Sequence, residues 1–170
     1  MKRITITLAV VLFCAFILAG IAQAADKFAY VDIIHIASEY NKAKDYNKTL
    51  DDKATSYEAE IEKKVNEVKG FQDKINLLSD KEKDKKKGEL EKKIKDLQEY
   101  RRQKEIDLRK EDFEHTKEIA EDIRKAIKQT ADKENYVLVF DVRALVYQAS
   151  AVEDISQKVL DILNKDYTKK

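Results

Sequence analysis

From about Asn41 to Glu134 the chain has no proline and carries apolar residues three and four positions apart. A proline inside a helix removes a hydrogen bond and clashes with the preceding turn, so nothing in this span interrupts helix formation. The first half of the pattern runs Leu50, Ala54, Tyr57, Ile61, Val65, Val68, Phe71, Ile75 and Leu78. Its mean step is about 3.5 residues, the period of paired helices. The second half runs Leu90, Ile94, Leu97, Leu108, Phe113, Ile119, Ile123 and Ile127. Arg101 and Lys104 stand where apolar residues are expected, and polar seam positions weaken pairing. Residues 79–88 hold no apolar side chain and mark the tip between the two helices, with Gly88 free to adopt a positive φ. The pattern predicts a long antiparallel helical hairpin over 41–135, its outer half loosely held.

Helix length decides the shape. A helix from Lys42 to Leu78 would be about 55 Å long at 1.5 Å per residue. A compact domain of this chain length would be only about 40 Å across. The hairpin must therefore project as a prong. Gly70, inside its first helix, costs about 1 kcal/mol relative to alanine and is either a tolerated neutral change or a flex point that lets the prong bend.

Residues 25–40 and 136–170 remain for a base. Lys27 to Ile34 is rich in aromatic and β-branched residues and reads as a strand, followed by a short helical turn to Tyr40. Tyr136 to Asp141 reads as a second strand and Ala144 to Gln148 as a third, forming an antiparallel hairpin around Asp141 to Arg143. An amphipathic helix begins near Ser150 or Ala151, with Val152, Ile155, Val159, Leu160 and Leu163 on one face. The fold class is α+β, mainly α. A base of a few strands and one helix buries little surface, and self-association is the usual remedy.

The first 24 residues read as a cleaved signal peptide. Lys2 and Arg3 precede an apolar run from Ile4 to Ile21, and Ala22-Gln23-Ala24 is a small-residue cleavage site. The single cysteine, Cys14, lies within that run, so the exported chain would have no disulfide. Loss of Lys2 and Arg3 leaves 32 basic groups against 33 acidic ones, a net charge of −1. That balance and the export signal argue against nucleic acid as a partner.

No constellation for catalysis stands out. Gly70 and Gly88 are the only glycines after the leader, which excludes a phosphate-cradling loop. There is no Gly-x-Ser-x-Gly elbow, and His35 and His115 sit in no spaced metal-ligand motif. The reading is of a protein that is not an enzyme and needs no cofactor. The tip is locally basic. Lys81, Lys83, Lys85, Lys86, Lys87, Lys92, Lys93 and Lys95 face four acids, a net of +4, and Arg101 to Lys110 add +3. This is either a solvated helix end or a positive surface that steers acidic partners.

Taken together, the start Ala25-Asp-Lys-Phe-Ala-Tyr-Val-Asp32, the long charged hairpin, and Tyr136-Val-Leu-Val-Phe-Asp-Val-Arg-Ala-Leu-Val-Tyr147 with the closing Val152-Glu-Asp-Ile155 segment resemble the Skp (OmpH-like) periplasmic chaperones. The resemblance covers roughly Ala25 to Lys165. It implies a homotrimer whose strands interleave into a β body, from which three prongs extend around a cavity. It also implies that unfolded outer-membrane β-barrel proteins are held there without ATP during periplasmic transit. Val31, Ile33, Val137, Val139, Leu145 and Val146 would form the body. Basic members carry a patch proposed to bind lipopolysaccharide; Lys110 falls in the corresponding region but is followed by Glu111, leaving membrane or lipopolysaccharide contact an open expectation.

With no nucleotide site to drive release, client binding would rest on many weak contacts. Phe71, Ile75, Leu78, Leu90 and Ile94 could be lent to a client where the seam loosens, although most of them serve first to zip the hairpin. The competing function is a coiled-coil spacer or tether of the cell envelope.

Overall fold

The computed structural model describes residues 26–150 and 152–167. The expected leader and residues 168–170 lie outside the described residues. Elements follow the order β1 (Lys27–Val31), α1 (Ile33–Glu39), α2 (Asn41–Asn76), α3 (Asp80–Glu134), β2 (Tyr136–Asp141), β3 (Glu153–Asp154) and α4 (Ser156–Asp166). The chain is mainly helical, with one small sheet.

Helices α2 and α3 have 36 and 55 residues, so they are about 54 and 82 Å long. They pack antiparallel along their length. Tyr46 stacks on His115, Lys53 pairs with Glu111, Tyr57 lies beside Lys104, and Tyr100 bonds Glu60. The turn between them is shorter than 79–88. Leu77 and Leu78 close it and Ser79 already caps α3, with Glu82 reaching back in a capping box. Gly88 lies inside α3 without a positive φ. The capping signal Ser-x-x-Glu outranks a glycine nine residues further on. Helix α3 ends at Asn135, whose left-handed backbone (φ 59°, ψ 40°) turns the chain directly into β2.

The sheet has order β2-β1-β3, and both pairings are parallel. The entire helical hairpin is the crossover from β1 to β2, as parallel pairing requires a long connection. The expected antiparallel strand pair at 136–148 does not form. Asp141 instead accepts from the Arg143 amide at 3.0 Å and caps a 3-10 turn over 142–144, after which 145–148 leave the sheet. The last helix starts at Ser156, later than 150–151. β1 stops at Val31 because Asp32 accepts from the His35 amide at 2.9 Å and opens α1.

The core sits where β1, α1, α4 and the last turns of α3 meet. Val31, Ile36, Ile155 and Val159 are almost wholly enclosed, surrounded by Ala29, Tyr40, Ile119, Ile123, Ala126 and Leu163. Helix α3 thus serves both the prong and the base: it runs past the start of α2 and supplies one wall of the core. Ser156 ties the elements together by accepting from the Asp32 amide at 2.8 Å and donating to Asp154 at 2.6 Å.

Candidate functional site

The prong is planted on the base by a polar lattice. Lys42 Nζ lies 2.6 Å from Glu118 and 2.7 Å from Asp122. The Tyr46 hydroxyl donates to Glu118 at 2.8 Å, while its ring stacks on His115 with centroids 4.0 Å apart. Tyr40 donates to Asp122 at 3.3 Å. Burial, then the neighbouring Asp122 charge, pushes the Tyr40 phenol up to about 12. Burial disfavours the Lys42 ammonium, but its bonds to Asp122 and Glu118 prevail and hold it charged well above the usual lysine range. Hydrogen bonds from Lys42 and Tyr46 keep the Glu118 carboxyl below its ordinary value.

A second cluster occupies the positions where the apolar seam breaks. Lys104 Nζ is 4.1 Å from the Tyr57 ring centroid and 5.3 Å from that of Tyr100. Lys64 lies 4.6 Å from the Tyr100 centroid, and the Tyr100 hydroxyl donates to Glu60. That bond, more than burial, raises the Tyr100 phenol to about 12. Such cation–ring contacts contribute about 0.5–1 kcal/mol each at exposed sites. The Lys104 interruption is therefore bridged by a lysine–tyrosine clasp. The Tyr100/Lys104 spacing of one helical turn was its signal in the sequence.

Of the residues expected to meet a client, Ile75 is buried in the outer seam, and Phe71, Leu78 and Leu90 are half-buried there. Ile94 is more exposed, and Lys93 covers the Phe71 ring at 5.2 Å. Leu77, which the pattern passed over, is 88% exposed at the apex. Seven of the eight tip lysines, Lys81 to Lys93, lie on the first four turns of α3. Lys83 and Lys86 pair with Asp80 and Glu89, while Lys81, Lys85, Lys87 and Lys92 make no ion pair among the described residues.

Within the single chain, the expected body residues divide. Val31 is in the core, Ile33 and Val139 pack at its margin, and Leu145 is half-buried. Val137 falls in a bulge between the Lys27–Tyr136 and Phe28–Leu138 pairs and is exposed; Val146 is fully exposed. The register places Phe28 and Tyr30 beside Leu138 and Phe140 on the sheet face opposite Ala29 and Val31. Phe28, Leu138 and Phe140 are all exposed, so that face is apolar and uncovered by the chain itself. On the opposite face, Lys158 bonds Glu134 and Glu153 at 2.7 Å each, and Tyr136 donates to both carboxylates. Among the described residues there is no grouping of His, Cys, Asp and Glu able to hold a metal, and no helix long and apolar enough to cross a membrane.

A projecting two-helix prong on a small parallel sheet with an open apolar face defines the architectural class of this chain. A family model described as outer membrane protein (OmpH-like) matches residues 27–163, and the chain belongs to that family. It is 29% identical over 142 residues to the chaperone protein Skp of Pectobacterium atrosepticum, covering 81% of this chain and 86% of the relative. The fold matches a solved structure from Caulobacter crescentus described as an outer membrane chaperone (OmpH-like). The TM-score is 0.77 at 11% identity, over 88% of this chain and 90% of the other.

Proposed function

We propose that this chain is an ATP-independent periplasmic holdase that shelters unfolded outer-membrane β-barrel proteins between the prongs of a homotrimer. The observation that carries the reading is the pairing of an arm about 54 Å long with a base whose sheet leaves Phe28, Leu138 and Phe140 exposed. Three copies closing over that face would bury it and hold three arms around a common space. Residues 25–40 and 136–170 are assigned to the body and 41–135 to the prong, whose root also packs into the body's core through Ala43, Ile119, Ile123 and Ala126. The apex Leu77 and the outer seam residues Phe71, Ile75, Leu78, Leu90 and Ile94 offer weak apolar contacts that exchange quickly. The unpaired tip lysines attract acidic clients at long range.

Dilution of a urea-unfolded β-barrel protein tests this directly. Stoichiometric chain, three copies per client, is expected to suppress light scattering without nucleotide. Absence of suppression by a trimeric chain would favour the envelope spacer or tether instead. Reversing Lys81, Lys85, Lys87 and Lys92 to glutamate is expected to slow association with an acidic client at about 20 mM salt, where charges act over about 20 Å.

A further inference from the structure

The two outward faces of the prong carry opposite chemistry. On α3, the positions facing away from the seam read Arg102, Ile106, Lys110, Phe113, Lys117, Ala120 and Arg124. At 100° per residue these fall within one stripe opposite His115, the seam residue stacked on Tyr46. The stripe is about 33 Å long, contains no acid, and alternates basic with apolar positions. Every one of its residues is exposed; Ile106 is 48% and Phe113 69% exposed. Arg102, Lys117 and Arg124 make no ion pair among the described residues.

The outward stripe of α2 is the complement. It reads Asp52, Thr55, Ala59, Glu62 and Asn66, flanked by Asp51 and Glu58 on one side and by the single base Lys63 on the other, all exposed and with acids in excess. Its apolar and neutral positions are small, and its acids have no ion-pair partner among the described residues.

The two stripes also match in height along the prong. Tyr46 meets His115 across the seam, so Lys110, five residues before His115, is level with Asp51 and next to Asp52. Tyr57 lies beside Lys104, which puts Ile106 level with Thr55. Tyr100 meets Glu60, which puts Arg102 level with Glu58 and one helical turn short of Glu62. Prongs that rise in parallel from one base keep these heights in common. The α3 stripe of one copy can then lie antiparallel against the α2 stripe of the next, with large apolar side chains over small residues and bases over acids. A head-to-tail contact of this kind closes into a ring.

We infer that the partner of the α3 stripe is the α2 stripe of a second copy of this chain, and that neighbouring prongs zip side by side when no client is held. The inference rests on the trimeric reading above. A client entering the space must then part these contacts, so prong closure and client occupancy oppose each other.

Disulfide trapping tests the contact. The chain after its expected leader has no cysteine, and positions 55 and 106 lie on opposite sides of one prong, too far apart to join within a chain. Thr55→Cys with Ile106→Cys is expected to give covalent dimers and trimers under mild oxidation. Each single variant is expected to give none. The cross-linked fraction should fall about tenfold between about 20 mM and about 0.5 M salt, and in the presence of unfolded client. Lys110→Glu should abolish trapping, and adding Asp52→Lys should restore it. Light scattering on the same samples separates the two ideas. A trimer that never cross-links overturns the zipped prongs and leaves the trimer standing, whereas a monomer overturns the trimer itself. Trapping through Ile106→Cys alone, or loss of client retention in Phe113→Ala without any trapping in the cysteine pair, assigns the stripe to another contact and overturns the inference.

Discussion

Ile36, Ile155, Val31 and Val159, all at the base, are at most 1% exposed, while in the prong Ile75 is the single buried residue between Ala43 and Ile119. The base is stabilised by enclosed apolar volume. The prong is stabilised by a half-buried seam, ion pairs and lysine–tyrosine contacts that stay within reach of water. The difference teaches how one chain combines a rigid anchor with an arm whose local opening is inexpensive. Regions with few buried contacts open at free energies well below that of global unfolding.

Truncating a side chain in each region should expose the contrast at its largest. Ile155→Ala leaves a cavity with no solvent access and is expected to cost about 2–5 kcal/mol. Ile75→Ala, near an exposed turn that can relax, is expected to cost less than about 1.5 kcal/mol. Urea midpoints measured at one protein concentration compare them, and equal shifts would erase the distinction between base and prong.

Glycine replacement sharpens it from the other side. Gly70 and Gly88 both lie within long helices, and a Cβ at either meets nothing within 4 Å. Each change to alanine is expected to stabilise its helix by about 1 kcal/mol, seen as slower amide exchange confined to the prong. If Gly70 is a flex point, Gly70→Ala also narrows the range of client sizes held; an unchanged range removes that role. Lys104→Met keeps the aliphatic stem but removes the charge over Tyr57 and Tyr100. It should lower protection around residues 57–64 and 97–104 by about 0.5–1 kcal/mol and leave the base untouched.

The prong was legible because its signal is repetitive: nine apolar positions at a steady period outweigh any local ambiguity. The tip was misplaced because a charged run resembles a loop, although Ser79 and Glu82 already spelled a helix start. The base was harder. Tyr136 to Asp141 is a strand as expected, but its neighbour in the sheet is β1, more than 100 residues away, and no local pattern encodes that pairing. Ala144 to Gln148 has strand-like composition and no strand partner among the described residues. Val146 and Tyr147 within it are exposed. The lysine–tyrosine clasp was missed because Lys104 was counted as a defect in the seam, when a lysine stem can pack and its ammonium can sit on a ring.

The smallest effect concerns pH and again separates the regions. Bonds from Lys158 and then Tyr136 hold the Glu153 carboxyl at about 2, below its ordinary 4.5. A carboxylate depressed by folding contributes its full stability above the unfolded value and loses it as pH falls from about 4.5 towards 2. The Glu153 side chain is 42% exposed, so solvent and salt screen much of the gain. Glu118 and Glu134 are lowered in the same direction, and the base as a whole should weaken on acidification. Glu153→Gln isolates one contribution. The gap in urea midpoint between the parent chain and the variant should be widest near pH 6, shrink towards pH 3, and narrow further at about 0.5 M salt. Two curves that stay parallel across that window would show that the Lys158 and Tyr136 bonds do no more for the folded base than water does for the unfolded chain.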